Sequence, residues 1–368
     1  MTVALFRPNL SLTSGAGQLL RDQAEGLLAA GEDVRLLGRR GLVKFWWRTG
    51  LPVRRATAQR LARFARSSTD LLVDHGMELV DAHVVFVHNL TAEGVRYVPR
   101  ADWHARAESE HRYFRALRGS APIVANSRLV ARALIEHFGL DPERVSVIYP
   151  GIDRRRFASA RGGSERDEAR RALRVPIGAP LVGFVTSGDF EKRGFDIFLD
   201  AAERIAASRA DVRFLVVGAR RLPEEAKTHP LVAGKRLVYR PKSTKPEVWF
   251  AALDLFLYPA RFEEFGMVVC EAQAAGLPVL TSRRIGAAEC LPSDYGPWLL
   301  DEPDAAEFAE KALALLDDDV TRSRLASAGA ENASRLDRAA YAEASVRLIR
   351  AARKLGSEPD FLRVGRGP

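Results

Sequence analysis

The chain has 368 residues but only two cysteines, three methionines and no extended apolar run, and one stretch of almost thirty residues carries no acid. Cys270 and Cys290 lie in apolar segments without a CxxC spacing, which argues against a disulfide framework or a thiolate metal site and for buried, reduced thiols. No segment approaches the roughly 18 consecutive apolar residues that a membrane span requires. The opening "MTVALFRPN" lacks a basic start, a longer apolar core and a small-residue cleavage site, so no secretory signal is expected and the cytoplasm is the expected compartment. The Asp-x-Asp of "LLDDDV", Asp317 to Asp319, falls at a helix end where a solvated role is expected. No metal cluster and no cofactor are therefore anticipated.

What is present reads as a globular protein of two domains. The hydrophobic fraction is 47%, and a chain of this length exceeds one ordinary core. The net charge of +9 favours acidic partners such as phosphates, anionic lipid or nucleic acid. The excess concentrates in "RRGLVKFWWRTGLPVRRATAQRLARFAR", residues 39–66, with nine Lys and Arg and no acid. Phe45, Trp46, Trp47, Leu51, Val53, Leu61 and Phe64 are interleaved with those charges. A solvated basic face accounts for the charges but not for adjacent tryptophans, which favour the boundary between an apolar phase and water. An anionic membrane surface is one reading and a structural or acceptor-binding segment another. Nucleic acid is a third, but no recognition motif accompanies the charge.

Along the chain, short apolar runs alternate with helical patterns. "TVALF" reads as a strand, "RPNLSLTSGAG" as a loop of turn-formers, and "QLLRDQAEGLLAAG" as a helix stopped at Gly31. "LVDAHVVFVHN" reads as a strand ending at His88, with His83 on its opposite face, and "APIVANS" and "RVSVIYPG" read as further strands. Ser159 to Ala172 turns polar and Gly-rich, as a linker would. The alternation then resumes through "PLVGFVTS", "FDIFLDAAERIAAS", "VRFLVVG" and "RLVYRP". The expected fold is α/β: two doubly wound parallel sheets, with a ligand crevice at the strand C-terminal ends between the domains.

"RFEEFGMVVCEA" (261–272) sits between two apolar strand patterns yet carries Glu263, Glu264 and Glu271. A helix starting near Gly266 leaves the N–H groups of Gly266, Met267 and Val268 without intrahelical partners, at the positive end of its dipole, which suits an anion. Glu271 falls one turn on from Met267, where its two carboxylate oxygens can accept from a vicinal diol such as a ribose. Glu263 precedes the helix in a loop at the rim, where it can accept from sugar hydroxyls. In the alternative, Glu263 and Glu264 cap the helix and Glu271 forms a structural salt bridge.

At these residues the sequence resembles the retaining GT4-type glycosyltransferases of GT-B fold, whose signature is E-x7-E. "SGAGQLLRDQAEGLLAAGEDV", "IVANSRLVARAL", "VSVIYPGIDRRRF", "DFEKRGFDIFLDA", "FLVVGARR" and "IGAAE" resemble that family's other segments in order. The similarity covers nearly the whole chain, excluding a basic 39–66 insert and the tail. It implies an acceptor-binding Rossmann-like domain over 1–165, a nucleotide-sugar domain over 166–338, and a C-terminal helix in 339–368 returning toward the first. It further implies that Glu271 binds ribose, Glu263 the transferred sugar, and Gly266, Met267 and Val268 the diphosphate. Lys192 or Arg193 would set a cation against the phosphates, with Arg220 or Arg221 as a second; one sequence does not choose within either pair. Gly15 and Gly17 stand in the N-terminal glycine loop, and His88 takes the place of a first-lobe histidine near the donor sugar. Three departures bear on the donor contacts: the spacing Gly15-Ala16-Gly17, Thr186 near the usual arginine, and Arg193-Gly194 for lysine-glycine. The implied activity is metal-independent transfer of a hexose-type sugar, from UDP by expectation, to an envelope glycan or lipid-linked acceptor such as lipopolysaccharide core. A protein that binds sugar nucleotides without turnover is the alternative, and an epimerase on the same fold a more distant one.

Overall fold

The computed structural model describes residues 2–356 apart from Thr13, Ser68, Pro99, 118–119 and 160–163. The polar tail and the glycine-rich centre of the anticipated linker lie outside the described residues. Two compact units emerge. The first takes residues 1–95, 100–151 and the stretch from Arg338; the second takes 96–99 and 152–337.

The first unit is built on seven parallel strands: β1 (Thr2–Phe6), β2 (Asp33–Gly38), β3 (Val53–Arg55), β4 (Leu71–Asp74), β5 (Val84–Val87), β6 (Ile123–Ala125) and β7 (Val145–Val147), in the order β3-β2-β1-β4-β5-β6-β7. β1, β4, β5 and β6 are apolar on both faces because helices cover both, as a parallel sheet requires. Val3, Leu5, Val34, Leu36, Val73, Val84 and Phe86 form one side of this core with Leu20, Ala24 and Leu27 of the helix Gly15–Ala29. Val346, Ile349 and Ala352, from the helix Arg338–Gly356, complete the same cluster. These two helices approach closely at Gly26, where a Cβ would lie 2.8 Å from that of Ala342. Ion pairs fasten the contact at Arg338–Asp22 (2.5 Å), Arg350–Glu32 (2.9 Å) and Arg353–Glu32 (3.0 Å).

Two sequence expectations change here. The basic 39–66 stretch, set apart from the family's segments, is part of the first unit's core: it folds as the helix Leu42–Thr49, the edge strand β3 and the helix Ala58–Ala65, with Phe45, Leu51, Val53, Leu61 and Phe64 buried. A strand of three residues is too short to register as alternation. The run 79–83 is also not strand, since β5 starts at Val84. His83 therefore precedes β5, and its Nδ1 accepts the Leu72 N–H at 2.9 Å.

The second unit holds β8 (Leu181–Val185), β9 (Arg213–Val217), β10 (Leu237–Arg240), β11 (Leu255–Tyr258) and β12 (Val279–Thr281), parallel in the order β10-β9-β8-β11-β12. Chain direction across this sheet reverses between β8 and β11. The loops leaving those two strands therefore diverge around a crevice at their C-terminal ends, the place where such sheets bind ligands. The loop after β8 carries Lys192 and Arg193, and the loop after β11 carries Glu263, Glu264 and Gly266. Much of the expected linker, 159–172, is helix over Arg154–Ser159 and Ser164–Leu173.

Candidate active site

The loop after β8 turns sharply at Gly194, whose φ of +66° and position against β11 admit only glycine. A Cβ there would lie 2.1 Å from the Pro259 carbonyl oxygen. That turn brings Lys192 and Arg193 against the acids of the β11 loop. Lys192 Nζ is 2.6 Å from Glu264 and 3.7 Å from Glu263, and Arg193 Nη2 is 2.9 Å from Glu263. The Tyr258 hydroxyl, at the end of β11, donates to Glu263 Oε2 at 3.2 Å.

Lys192, Glu263 and Glu264 are all buried, so Glu263 is not the rim residue that its loop position suggested. The acid is sequestered because two cations and a phenol are assembled around it. Burial by itself would lower the Lys192 ammonium, but Glu263 and Glu264 outweigh it and the ammonium is raised. Arg193 follows the same balance: desolvation lowers it, and Glu263 with Tyr258 and Asp189 carries it above its ordinary value. Both side chains therefore stay cationic. Burial, then Glu263, raises the Tyr258 phenol, which stays a donor. The capping alternative for Glu263 and Glu264 fails, since no side chain caps the helix Met267–Ala274 and Gly266 is its N-cap, with φ of +87°. Lys192 is the partner that sequence reading missed for Glu264, and Tyr258 the one it missed for Glu263.

Backbone bonds fix the loop from the other side. Glu263 N–H donates to the Arg284 carbonyl (3.1 Å), Gly286 N–H to Glu263 (3.1 Å) and Ala287 N–H to Phe265 (2.7 Å). "IGAAE" thus clamps "EEFG" in register. On the helix that follows, Val269, Cys270, Ala272, Gln273 and Ala274 are buried, whereas Gly266, Met267, Val268 and Glu271 remain partly open. Those four positions, spaced i, i+3 and i+4, form one accessible strip from the free N–H groups to a carboxylate. Water still reaches part of Glu271, yet desolvation of its carboxyl pushes the pKa up to about 7. Arg156 pulls it down and Glu247 pushes it further up. Arg156 is itself held by Glu247 at 2.6 Å and by the Thr244 carbonyl at 2.5 Å.

Arg220 and Arg221, after β9, are exposed and are not members of this cluster. Thr186 is buried, its hydroxyl donating to the Gly188 carbonyl at 3.1 Å, so it shapes the β8 loop. The remaining predicted residues belong to the first unit. Gly15 opens the helix Gly15–Ala29, capped by Ser14, whose hydroxyl accepts the Gly17 N–H at 3.2 Å. Gly17 is obligatory, because a Cβ there would lie 1.7 Å from the Ser11 carbonyl oxygen. His88 follows β5 and is half-buried. Burial and the nearby Arg7 guanidinium hold its imidazole down to a pKa of about 3.

Comparison with known proteins bears on this arrangement. The model described as "Glycosyltransferase Family 4" matches residues 13–156, and that described as "Glycosyl transferases group 1" matches 179–318. D-inositol 3-phosphate glycosyltransferase of Thermomonospora curvata is 33% identical over 236 residues, taking in 59% of this chain and 54% of the relative. That of Pseudarthrobacter chlorophenolicus is 31% identical over 234 residues, with 61% and 54% covered. The chain thus spans about half the length of the curated relatives it matches. Among solved structures, Anabaena HepE in complex with UDP-glucose superposes with a TM-score of 0.76 at 19% identity, covering 95% of this chain and 100% of HepE. WaaG, a glycosyltransferase involved in lipopolysaccharide biosynthesis, superposes with 0.74 at 20% identity, covering 97% and 100%. At such identities the superpositions speak for the fold alone.

Proposed function

This chain belongs to the family 4 glycosyltransferases, on a GT-B fold of two parallel-sheet units, and from that premise we propose that it transfers a hexose-type sugar from a UDP-linked donor to a hydroxyl acceptor. The observation that carries this reading is the strip of Gly266, Met267, Val268 and Glu271, on the loop and helix after β11 whose acids pair with the buried Lys192 and the half-buried Arg193 where the second sheet reverses. In the proposed complex Glu271 accepts from the ribose diol, the helix N-terminus receives the diphosphate, and Glu263 meets the transferred sugar. As the bond from the sugar's anomeric carbon to phosphate breaks, its electron pair passes to the diphosphate, where Lys192 and Arg193 stabilise the charge. The acceptor oxygen bonds to the anomeric carbon on the face that the diphosphate leaves, which retains configuration. Its proton passes to the departing phosphate, and no metal takes part. Gly15 and Gly17 are proposed to let the first helix approach the donor, and His88 to meet the acceptor hydroxyl.

A thermal-shift screen tests the donor. UDP, GDP and ADP with their glucose conjugates are compared, and at about 100 times Kd the stabilisation is roughly 2.7 kcal/mol. A shift with uridine nucleotides alone supports the reading. A shift with another base changes the donor, and no shift with any of them removes the nucleotide-sugar site and with it both the transferase and the sugar-nucleotide-binding readings.

The acceptor is proposed to be an envelope glycan or glycolipid reached at an anionic membrane surface, with the protein at the inner face of the cell membrane. On the helix Leu42–Thr49, Val43, Trp46 and Trp47 are 78%, 53% and 79% exposed, while Phe45 anchors the helix to the core. Lys44, Arg48, Arg54 and Arg55 are exposed beside them. Indoles flanked by cations match an anionic lipid headgroup layer. No described helix is long and apolar enough to cross a membrane. Trp46→Ala with Trp47→Ala is expected to abolish cosedimentation with phosphatidylglycerol-containing vesicles, which pure phosphatidylcholine vesicles should not support. Retained binding by the double variant, or equal binding to RNA, ends the membrane assignment.

A further inference from the structure

The mechanism above uses His88 but not the groups behind it. His75, directly after β4, is buried, and its Nδ1 lies 2.9 Å from His88 Nε2. Its Nε2 lies 2.8 Å from Oε1 of Gln23, a fully buried side chain on the helix Gly15–Ala29. Three elements thus contribute one continuous chain of hydrogen bonds: the ends of the neighbouring strands β4 and β5, and the helix at the reversal of the first sheet.

The His75 ring is held from several sides. It stacks on Phe86, with centroids 4.8 Å apart and planes 15° apart. Its backbone carbonyl accepts from Arg7 Nη1 at 3.1 Å. The preceding Asp74 ties down the loop, its carboxylate accepting the N–H groups of Gly76, Glu78 and Leu79 at 2.6, 2.8 and 2.8 Å and the Tyr113 hydroxyl at 3.2 Å. The two imidazoles are inclined by only 13°, with centroids 5.2 Å apart. That separation exceeds the N···N distance by about two ring radii, so the rings meet edge to edge in one plane, as a straight hydrogen bond requires.

The polarity of the chain follows from its inner end. In the orientation the structure gives Gln23, the carboxamide oxygen faces His75 and the buried Gln23 Nε2 has no partner; with that orientation His75 Nε2 carries the hydrogen and His75 Nδ1 holds the lone pair. His88 Nε2 must then donate, which leaves its Nδ1 as the lone pair. Burial pushes His75 well below the ordinary histidine range, with His88 and Arg7 adding to the effect, so a positive charge is opposed at both rings.

We infer that His75 and Gln23 are positioning residues that hold His88 as a single neutral tautomer, hydrogen on Nε2, offering Nδ1 as the acceptor that orients an incoming hydroxyl. This rests on the acceptor-side reading of His88 proposed above. His88 on this account aims the nucleophile and takes no proton in full.

The test separates a hydrogen-bonding role from a packing role through two substitutions. Asn in place of His75 keeps an acceptor near Nδ1 but loses volume; Leu keeps volume but offers no acceptor. Long-range proton–nitrogen NMR of the full chain reads the His88 tautomer directly, and UDP release from UDP-glucose with water as acceptor reads turnover. The native protein and His75→Asn are expected to show a pyridine-type Nδ1 on His88 and similar UDP release. His75→Leu is expected to lose the single tautomer and to release UDP at least about tenfold more slowly, with UDP affinity unchanged. A hydrogen on Nδ1 of His88 in the native protein overturns the inference even if both variants fail to fold, as does a Leu variant that outperforms Asn. If His88→Ala leaves UDP release unchanged while the tautomer is as stated, the acceptor-side role falls and the hydrogen-bonded chain stands.

Discussion

Glu263→Gln is expected to lower turnover by about 10²–10³-fold while donor affinity moves by less than about tenfold. The substitution keeps the shape of the side chain and an oxygen for the Tyr258 hydroxyl, which donates at 3.2 Å. It removes the charge that fixes Arg193 at 2.9 Å and contributes to Lys192 at 3.7 Å. Both cations then lose part of the field that aims them, and the sugar loses its ionised acceptor. A stability effect accompanies this, because breaking a buried pair costs about 3–5 kcal/mol where one charge is left uncompensated. Glu264, at 2.6 Å from Lys192, limits that loss on the lysine side. The two effects separate when steady-state kcat is normalised to the folded fraction measured by thermal melting. A variant that melts lower but turns over normally per folded molecule makes Glu263 a structural counterion and ends its catalytic assignment.

Glu271→Ala is expected to weaken UDP binding by about 100-fold, the loss of two charge-assisted hydrogen bonds to one carboxylate. The same carboxylate gives the native protein a distinctive pH dependence. Desolvation is the first cause that pushes its pKa from an ordinary 4.5 up to about 7. A raised acid contributes stability that is fully present below 4.5 and is lost as pH rises through 7. Ribose binding runs the other way, since hydroxyl donors need the ionised form. UDP affinity is therefore expected to rise about tenfold between pH 6 and pH 8 by titration calorimetry, with proton release near neutrality. 2′-Deoxy-UDP, which cannot donate twice, should show a much shallower dependence. A flat profile for UDP removes Glu271 from the ribose site.

Much of this was legible before any coordinates. β11, β12 and the helix between them announce themselves because a strand buried on both faces must be continuously apolar, and a carboxylate set into such a run stands out. The helix Phe195–Ser208 coincides with its sequence pattern because periodicity, a glycine before it and a polar break after it all agree. The environment of Glu263 was not legible. Its loop position suggests exposure, and only the fold brings in Lys192 and Arg193 from about 70 residues away. Both of those cations are paired to the acids of the β11 loop, a contact that no local pattern announces. His75 gave no signal at all, because its partners sit 52 residues before it and 13 after it and no local pattern links them. In the 39–66 stretch the interleaved apolar residues were visible, but which of them face the core was not: Phe45, Val53 and Leu61 are buried while Trp46 and Trp47 are exposed.

The helix Arg338–Gly356 imposes an order of assembly. The ribosome delivers all seven strands of the first sheet nearly two hundred residues before Val346, Ile349 and Ala352, which finish the core beneath them. During that interval the part of the first core that Val346, Ile349 and Ala352 close has no permanent cover, whereas the whole second unit emerges and can close on itself. The half that is made first is thus the half that matures last. A nascent chain halted between the two events presents a finished domain tethered to an open one, the kind of intermediate on which chaperones act.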